Sequence, residues 1–175
     1  MSNLKQAIKQ NYVKCAKSPS YFINEFCTIQ HPQRGKIKFK LYPYQYDVLD
    51  EFEAHDYNVV LKSRQLGIST LSAAYALWMM LFHNDKNILC IATSKDTAKN
   101  LVTKVRIMYE GLPNWLKTAI VENNKLSLIF KNGSQIKAIA SNESAGRSEA
   151  LSLLILDEAA FIDKIDIIWT AAQQT

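Results

Sequence analysis

Two segments carry residue types at spacings that suit phosphate chemistry: KSRQLGIST at Lys62–Thr70 and LLILDEAAF at Leu153–Phe161. The first follows the apolar run Tyr57–Leu61 and reads as a strand, a phosphate-cradling loop and the start of a helix. The second reads as a buried strand from whose carboxyl end Asp157 and Glu158 emerge, the place where open α/β sheets receive their ligands. Together they supply the two halves of a nucleotide-hydrolysing site. Either alone is weak. KSRQLGIST also suits an ordinary strand-to-helix turn in which Gly67 meets a conformational need, and a DE pair after a strand also suits a helix cap.

In the usual phosphate loop, GxxxxGK[ST], backbone N–H groups and a helix N-terminus hold the phosphates, a lysine neutralises them and a hydroxyl binds magnesium. Here the eight positions are Lys62, Ser63, Arg64, Gln65, Leu66, Gly67, Ile68 and Ser69, with Thr70 following. Lys62 stands where the first glycine is usual, and Ile68 where the lysine is usual. The chemistry needs a cation near the β and γ oxygens, and a loop that curls around the phosphates can supply it from its first residue. Lys62 is therefore the candidate for the displaced lysine. Ser69 keeps the magnesium-hydroxyl position, and Arg64 can add a second charge at the γ-phosphate. Asp157 is the candidate for the magnesium shell, and Glu158 for orienting or deprotonating the attacking water.

The elements that must hold these groups alternate. Leu4–Lys17 and Tyr21–Cys27 read as helices broken at Ser18–Pro19, and 31–35 reads as a loop by its Pro and Gly. Lys36–Tyr42 alternates charged and apolar residues as a strand does, and Pro43 opens a helix over Tyr44–Ala54. Leu71, Ala74, Tyr75, Trp78, Leu81 and Phe82 recur at helical spacing directly after the loop. Asn87–Thr93 is a continuous apolar strand, and Lys95–Tyr109 a helix with Ala98, Leu101, Val102, Val105 and Met108 on one face. Leu126–Phe130 and Ser134–Ala140, joined by Lys131-Asn132-Gly133, read as a hairpin, and Ile165–Gln174 as a closing helix. This order predicts an α/β fold with a mainly parallel central sheet, helices on both sides and an inserted β-hairpin.

The 175 residues are 48% apolar, enough to bury one sizeable core. The formal charge of +5 is uneven: residues 1–40 hold eight basic side chains against the single acid Glu25, and residues 41–175 hold thirteen against fifteen. A basic, mostly helical segment over 1–35 and a nucleotide-binding domain over 36–175 are expected. The basic segment suits nucleic acid or an acidic partner, and equally a solvated tail. Cys15, Cys27 and Cys90 have no metal-ligand spacing, which argues against a zinc site or a disulfide framework. His31, His55 and His83 are isolated. The first residues lack the apolar core of a signal peptide, and Leu71–Phe82 is too short to span a bilayer. A soluble intracellular protein is expected.

The chain resembles the large terminase subunits of tailed bacteriophages, especially those of myoviruses infecting cyanobacteria. The resemblance rests on LYPYQ at Leu41–Gln45, KSRQLGIST, NILCIATS, the hairpin NKLSLIFKNGSQIKA, SAGRSEA, LLILDEAAF and the closing WTAAQQT, in that order. It implies an ATP-driven, magnesium-dependent motor that moves double-stranded DNA into a capsid, acting as a homo-oligomeric ring with portal protein and the small terminase subunit. It further implies a P-loop NTPase fold of the additional-strand, RecA/helicase-like type, and a place in the host cytoplasm, transiently docked on the procapsid. Some members carry their loop lysine at the first position, as Lys62 does. By the same resemblance Asp157 and Glu158 are the magnesium and catalytic carboxylates, Arg64 senses ATP, and Tyr44 and Gln45 contact adenine, where a ring can stack and an amide can pair; packing at the helix start is the other reading of these two. Arg147 matches a family arginine that can act as a finger toward an adjacent subunit; a solvated loop charge is its other reading.

Members of the family continue after the acidic segment with a coupling strand and a nuclease domain. The end at Thr175 is therefore read as that of an N-terminal ATPase fragment with an incomplete sheet and no nuclease activity. Two alternatives stay open. A helicase-like ATPase fits the LYPYQ segment but not LLILDEAAF, which lacks the DExH or DEAD form. A catalytically inactive, truncated terminase acting as a binding module fits the early end.

Overall fold

The computed structural model describes residues 2–31, 33–141 and 150–173. Two helices open the chain, α1 (Ser2–Lys17) and α2 (Pro19–Phe26). Ser18 breaks them, its hydroxyl accepting from Tyr21 N at 3.1 Å while Pro19 takes the first helical position, where its missing N–H costs nothing. Strands β1 (Thr28–His31) and β2 (Gly35–Lys38) pair antiparallel as a separate two-stranded sheet. The sequence predicts a loop and one longer strand here; β1 is too short and polar to show a period. Helix α3 (Pro43–Ala54) follows.

Helix α4 (Ile68–Phe82), β3 (Asn87–Ala92) and α5 (Lys95–Gly111) then alternate as expected. Strands β4 (Ile120–Asn123), β5 (Ser127–Phe130), β6 (Gln135–Ala140) and β7 (Leu153–Leu156) complete a five-stranded sheet of order β4-β5-β6-β3-β7, and α6 (Ile165–Gln173) closes the described chain. Pairs β3–β6 and β3–β7 are parallel, whereas β4–β5 and β5–β6 are antiparallel. The sheet is thus mixed rather than mainly parallel. The cause is local: β4, β5 and β6 follow one another through short turns, which can join only antiparallel neighbours.

Strand β3 is buried on both faces. Ile88, Cys90 and Ala92 face the main core with α4 and α5, while Leu89 and Ile91 face a smaller cluster with Ile162 and Ile168. Two-sided burial explains its unbroken apolar run. Helix α4 departs from the one-sided stripe read in its sequence. Ten of its fifteen residues are buried, because α2 and α3 cover the side turned away from the sheet: Phe22 packs on Phe82 and Phe52 on Tyr75. A helix apolar all round is an interior helix.

The run Tyr57–Leu61, read as the strand before the loop, forms no strand. Val59 is 99% exposed and Leu61 101%. A strand exists by hydrogen bonds to a neighbour, and β7 is the last strand of the sheet, with no partner on its outer edge among the described residues. Tyr57 instead rests its ring against Trp169 of α6 at 5.4 Å.

Gly133 sits in the β5–β6 turn at φ +80, and a Cβ there would run into the Asp85 carboxylate. Gly133→Ala is therefore expected to lower stability by about 1–2 kcal/mol, read as a fall in denaturant midpoint at constant m-value. An unchanged midpoint would show that neither the positive φ nor the Asp85 contact costs anything.

Candidate functional site

The segment Lys62–Gly67 lies exposed between the extended run and α4. Gln65 and Gly67 both take positive φ, +66 and +72, which bends the chain tightly into the helix. Gly67 caps α4 in the left-handed region, its carbonyl accepting from Thr70 N at 3.0 Å and Leu71 N at 2.9 Å. Ile68 turns into the core, so the position where a lysine is usual anchors the helix start. The next residue points the other way: Ser69 Oγ donates to Asp157 Oδ1 at 2.8 Å across 88 residues of sequence.

Asp157 is held in line with the sheet by its N–H, which donates to Ile91 O at 3.0 Å. It is half-buried, whereas Glu158 is exposed and takes a left-handed conformation, φ 55 and ψ 43. A non-glycine residue there carries backbone strain, and the kink separates the two carboxylates, sending one toward α4 and the other to solvent. The side chains of Arg64 and Glu158 have no hydrogen-bond or ion-pair partner among the described residues.

The sequence gives no sign of Lys104 of α5, which stands at the margin of the apolar face. It lies half-buried within charge reach of the site: burial lowers its pKa, the Asp157 carboxylate opposing and the Lys62 ammonium reinforcing. Cys90, beneath Asp157, has its thiol pushed up by burial and further by that carboxylate. All three cysteines are free and buried.

Tyr44 and Gln45, at the start of α3, reach the same loop. Tyr44 Oη donates to Leu66 O at 2.7 Å and Gln45 Nε2 to the same oxygen at 3.2 Å. Arg147 lies outside the described residues.

The donor set fits a hard cation. A hydroxyl and a carboxylate oxygen already meet at 2.8 Å, and no cluster of three or more His, Cys, Asp or Glu among the described residues offers an all-protein cage. Magnesium is commonly held in this way, by one or two carboxylates together with substrate phosphates.

Residues 59–175 match the family described as terminase large subunit, T4likevirus-type, N-terminal. The chain belongs to that family. The fold of this terminase chain is also that of the HK97 bacteriophage large terminase, with a TM-score of 0.71 at 23% identity over 91% of the chain. The match spans 35% of the HK97 protein's length. Both terminase segments singled out in the sequence fall inside the family match, and so does Lys104; Tyr44 and Gln45 precede it.

Proposed function

We propose that this terminase chain is the ATP-hydrolysing part of a motor subunit that translocates double-stranded viral DNA into a procapsid. The observation that carries the reading is the Ser69–Asp157 contact, which brings the hydroxyl of the loop-to-helix junction onto the carboxylate at the end of β7. Hydrolysis of a nucleotide needs those two groups at one point, with an exposed loop of N–H groups and cations beside it. We further assign the mixed α/β fold to the P-loop NTPases of the additional-strand, RecA/helicase-like type.

In this reading Lys62, Ser63, Arg64, Gln65, Leu66, Gly67, Ile68, Ser69 and Thr70 wrap the phosphates of ATP. Lys62 neutralises the β and γ oxygens, Arg64 meets the γ-phosphate, and Ser69 with Asp157 would hold magnesium. The metal, when bound, withdraws charge from the phosphate oxygens. Glu158, exposed and without a side-chain partner among the described residues, orients the attacking water and accepts its proton. Tyr44 and Gln45 bond to the loop from α3, and Arg147 is assigned to the neighbouring subunit's site. The assembly is a ring of copies docked on the procapsid in the host cytoplasm, with DNA, portal protein and the small terminase subunit as partners. No helix among the described residues is long and apolar enough to cross a membrane.

The test is magnesium-dependent ATP binding by the chain beside Lys62→Ala. A charge-assisted hydrogen bond contributes about 1.5–3 kcal/mol, so the variant is expected to bind about ten- to a hundredfold more weakly. Equal binding would sink the displaced-lysine assignment, and a parent chain that binds no ATP would sink the nucleotide reading.

A further inference from the structure

Among the described residues, the carbonyl of Leu66 is the one point at which side chains from outside grip the exposed loop. Two side chains of α3 converge on it, Tyr44 Oη at 2.7 Å and Gln45 Nε2 at 3.2 Å. The other end of the Gln45 amide is also used: its Oε1 accepts from Tyr42 N at 3.1 Å. With 1% of its surface exposed, Gln45 has no free face to offer a base and would have to give up two internal bonds to pair with one. Gly67 records the same tight fit, since a Cβ at its φ of +72 would lie 3.0 Å from Gln45 Nε2. The Tyr44 ring is itself fixed, stacked on Tyr42 at 5.8 Å with planes 6° apart.

We infer that Tyr44 and Gln45 are positioning residues for the phosphate loop, a clamp on the Leu66 carbonyl that sets the loop's curvature before any nucleotide arrives. The carbonyl is turned toward α3, and the peptide it belongs to directs its Gly67 N–H the opposite way. A peptide is planar, so gripping its oxygen fixes where its N–H points. An anion-binding loop depends on that direction. The clamp thus acts on the phosphate chain and not on the identity of the base. This inference deepens the nucleotide reading and rests on it for its consequence in binding.

Tyr44→Phe removes only the hydroxyl and keeps the ring stack. Leu66–Gly67 is the one Leu-Gly step in the sequence, so carbonyl-13C leucine with 15N glycine gives a single HNCO peak for that peptide. In the ligand-free variant this peak is expected to move, as the carbonyl loses its shorter bond. Affinities for magnesium tripolyphosphate, ATP and GTP should then fall together, by about two- to tenfold, the worth of one hydrogen bond, with the ATP-to-GTP ratio unchanged. An unmoved peak overturns the clamp, and so does a changed ATP-to-GTP ratio with tripolyphosphate affinity intact, which assigns Tyr44 to the base. Loss of binding for all three ligands in the parent chain would instead strike the nucleotide reading, and with it the clamp's role in binding. A melting temperature within a degree or so of the parent separates the effect from loss of fold.

Discussion

Glu158→Gln is expected to leave ATP binding within about twofold of the parent and to lower turnover by about 10²–10⁴-fold, the range of a lost general base. The substitution keeps the side chain's length and shape and removes only its ability to take a proton. Nothing else should change, because the Glu158 side chain has no hydrogen-bond or ion-pair partner among the described residues. Its left-handed backbone, φ 55, carries the same strain with glutamine. Asp157→Asn supplies the contrast: it weakens the partner of Ser69 Oγ and should reduce magnesium-dependent binding itself. Single-turnover phosphate release, read beside nucleotide binding, checks both. Equal turnover in parent and Glu158→Gln would remove Glu158 from the chemistry. Loss of binding in Glu158→Gln would place its carboxylate among the binding groups instead.

The order of helices and strands from α3 onward was legible because each long element carries its period openly. Strand β3 shows an unbroken apolar run, and α5 a clean stripe from Ala98 to Met108. The two segments that meet at the Ser69–Asp157 contact were legible because each is short and local. Three features were not. Tyr57–Leu61 has the composition of a buried strand, but composition cannot say whether a run will take up a free edge, and the outer edge of β7 has no partner among the described residues. Strand β4, Ile-Val-Glu-Asn, is too short for its alternation to stand out. The joint use of Tyr44, Gln45 and Lys104 around the loop depends on tertiary placement that no spacing encodes: α3 and α5 precede and follow the loop by many residues, yet both send side chains toward it.

Trp78→Ala should be the most damaging single truncation of the core. The indole is 6% exposed and touches Tyr75, Phe82 and His83 with ring separations of 5.5, 6.5 and 5.0 Å. Truncating a buried tryptophan to alanine costs about 3–5 kcal/mol through lost transfer energy and the cavity left behind. A second cost is particular to this site, because Trp78 Nε1 donates to Cys15 O at 2.8 Å in a buried bond that ties α1 to α4. Its removal leaves the Cys15 carbonyl at the helix end with only the longer bond from Ser18 N, 3.3 Å. Domains of this size have about 5–15 kcal/mol to lose, so the melting temperature should fall by roughly 6–20 °C. Trp78→Phe separates the two costs. It keeps an aromatic ring and removes the donor, so it should lose only about 1–3 kcal/mol, with the faster hydrogen exchange confined to the last turn of α1. Exchange that rises equally along α4 in Trp78→Phe would show that the ring packing, and not the bond to Cys15, joins the N-terminal helix to the element that carries Ser69.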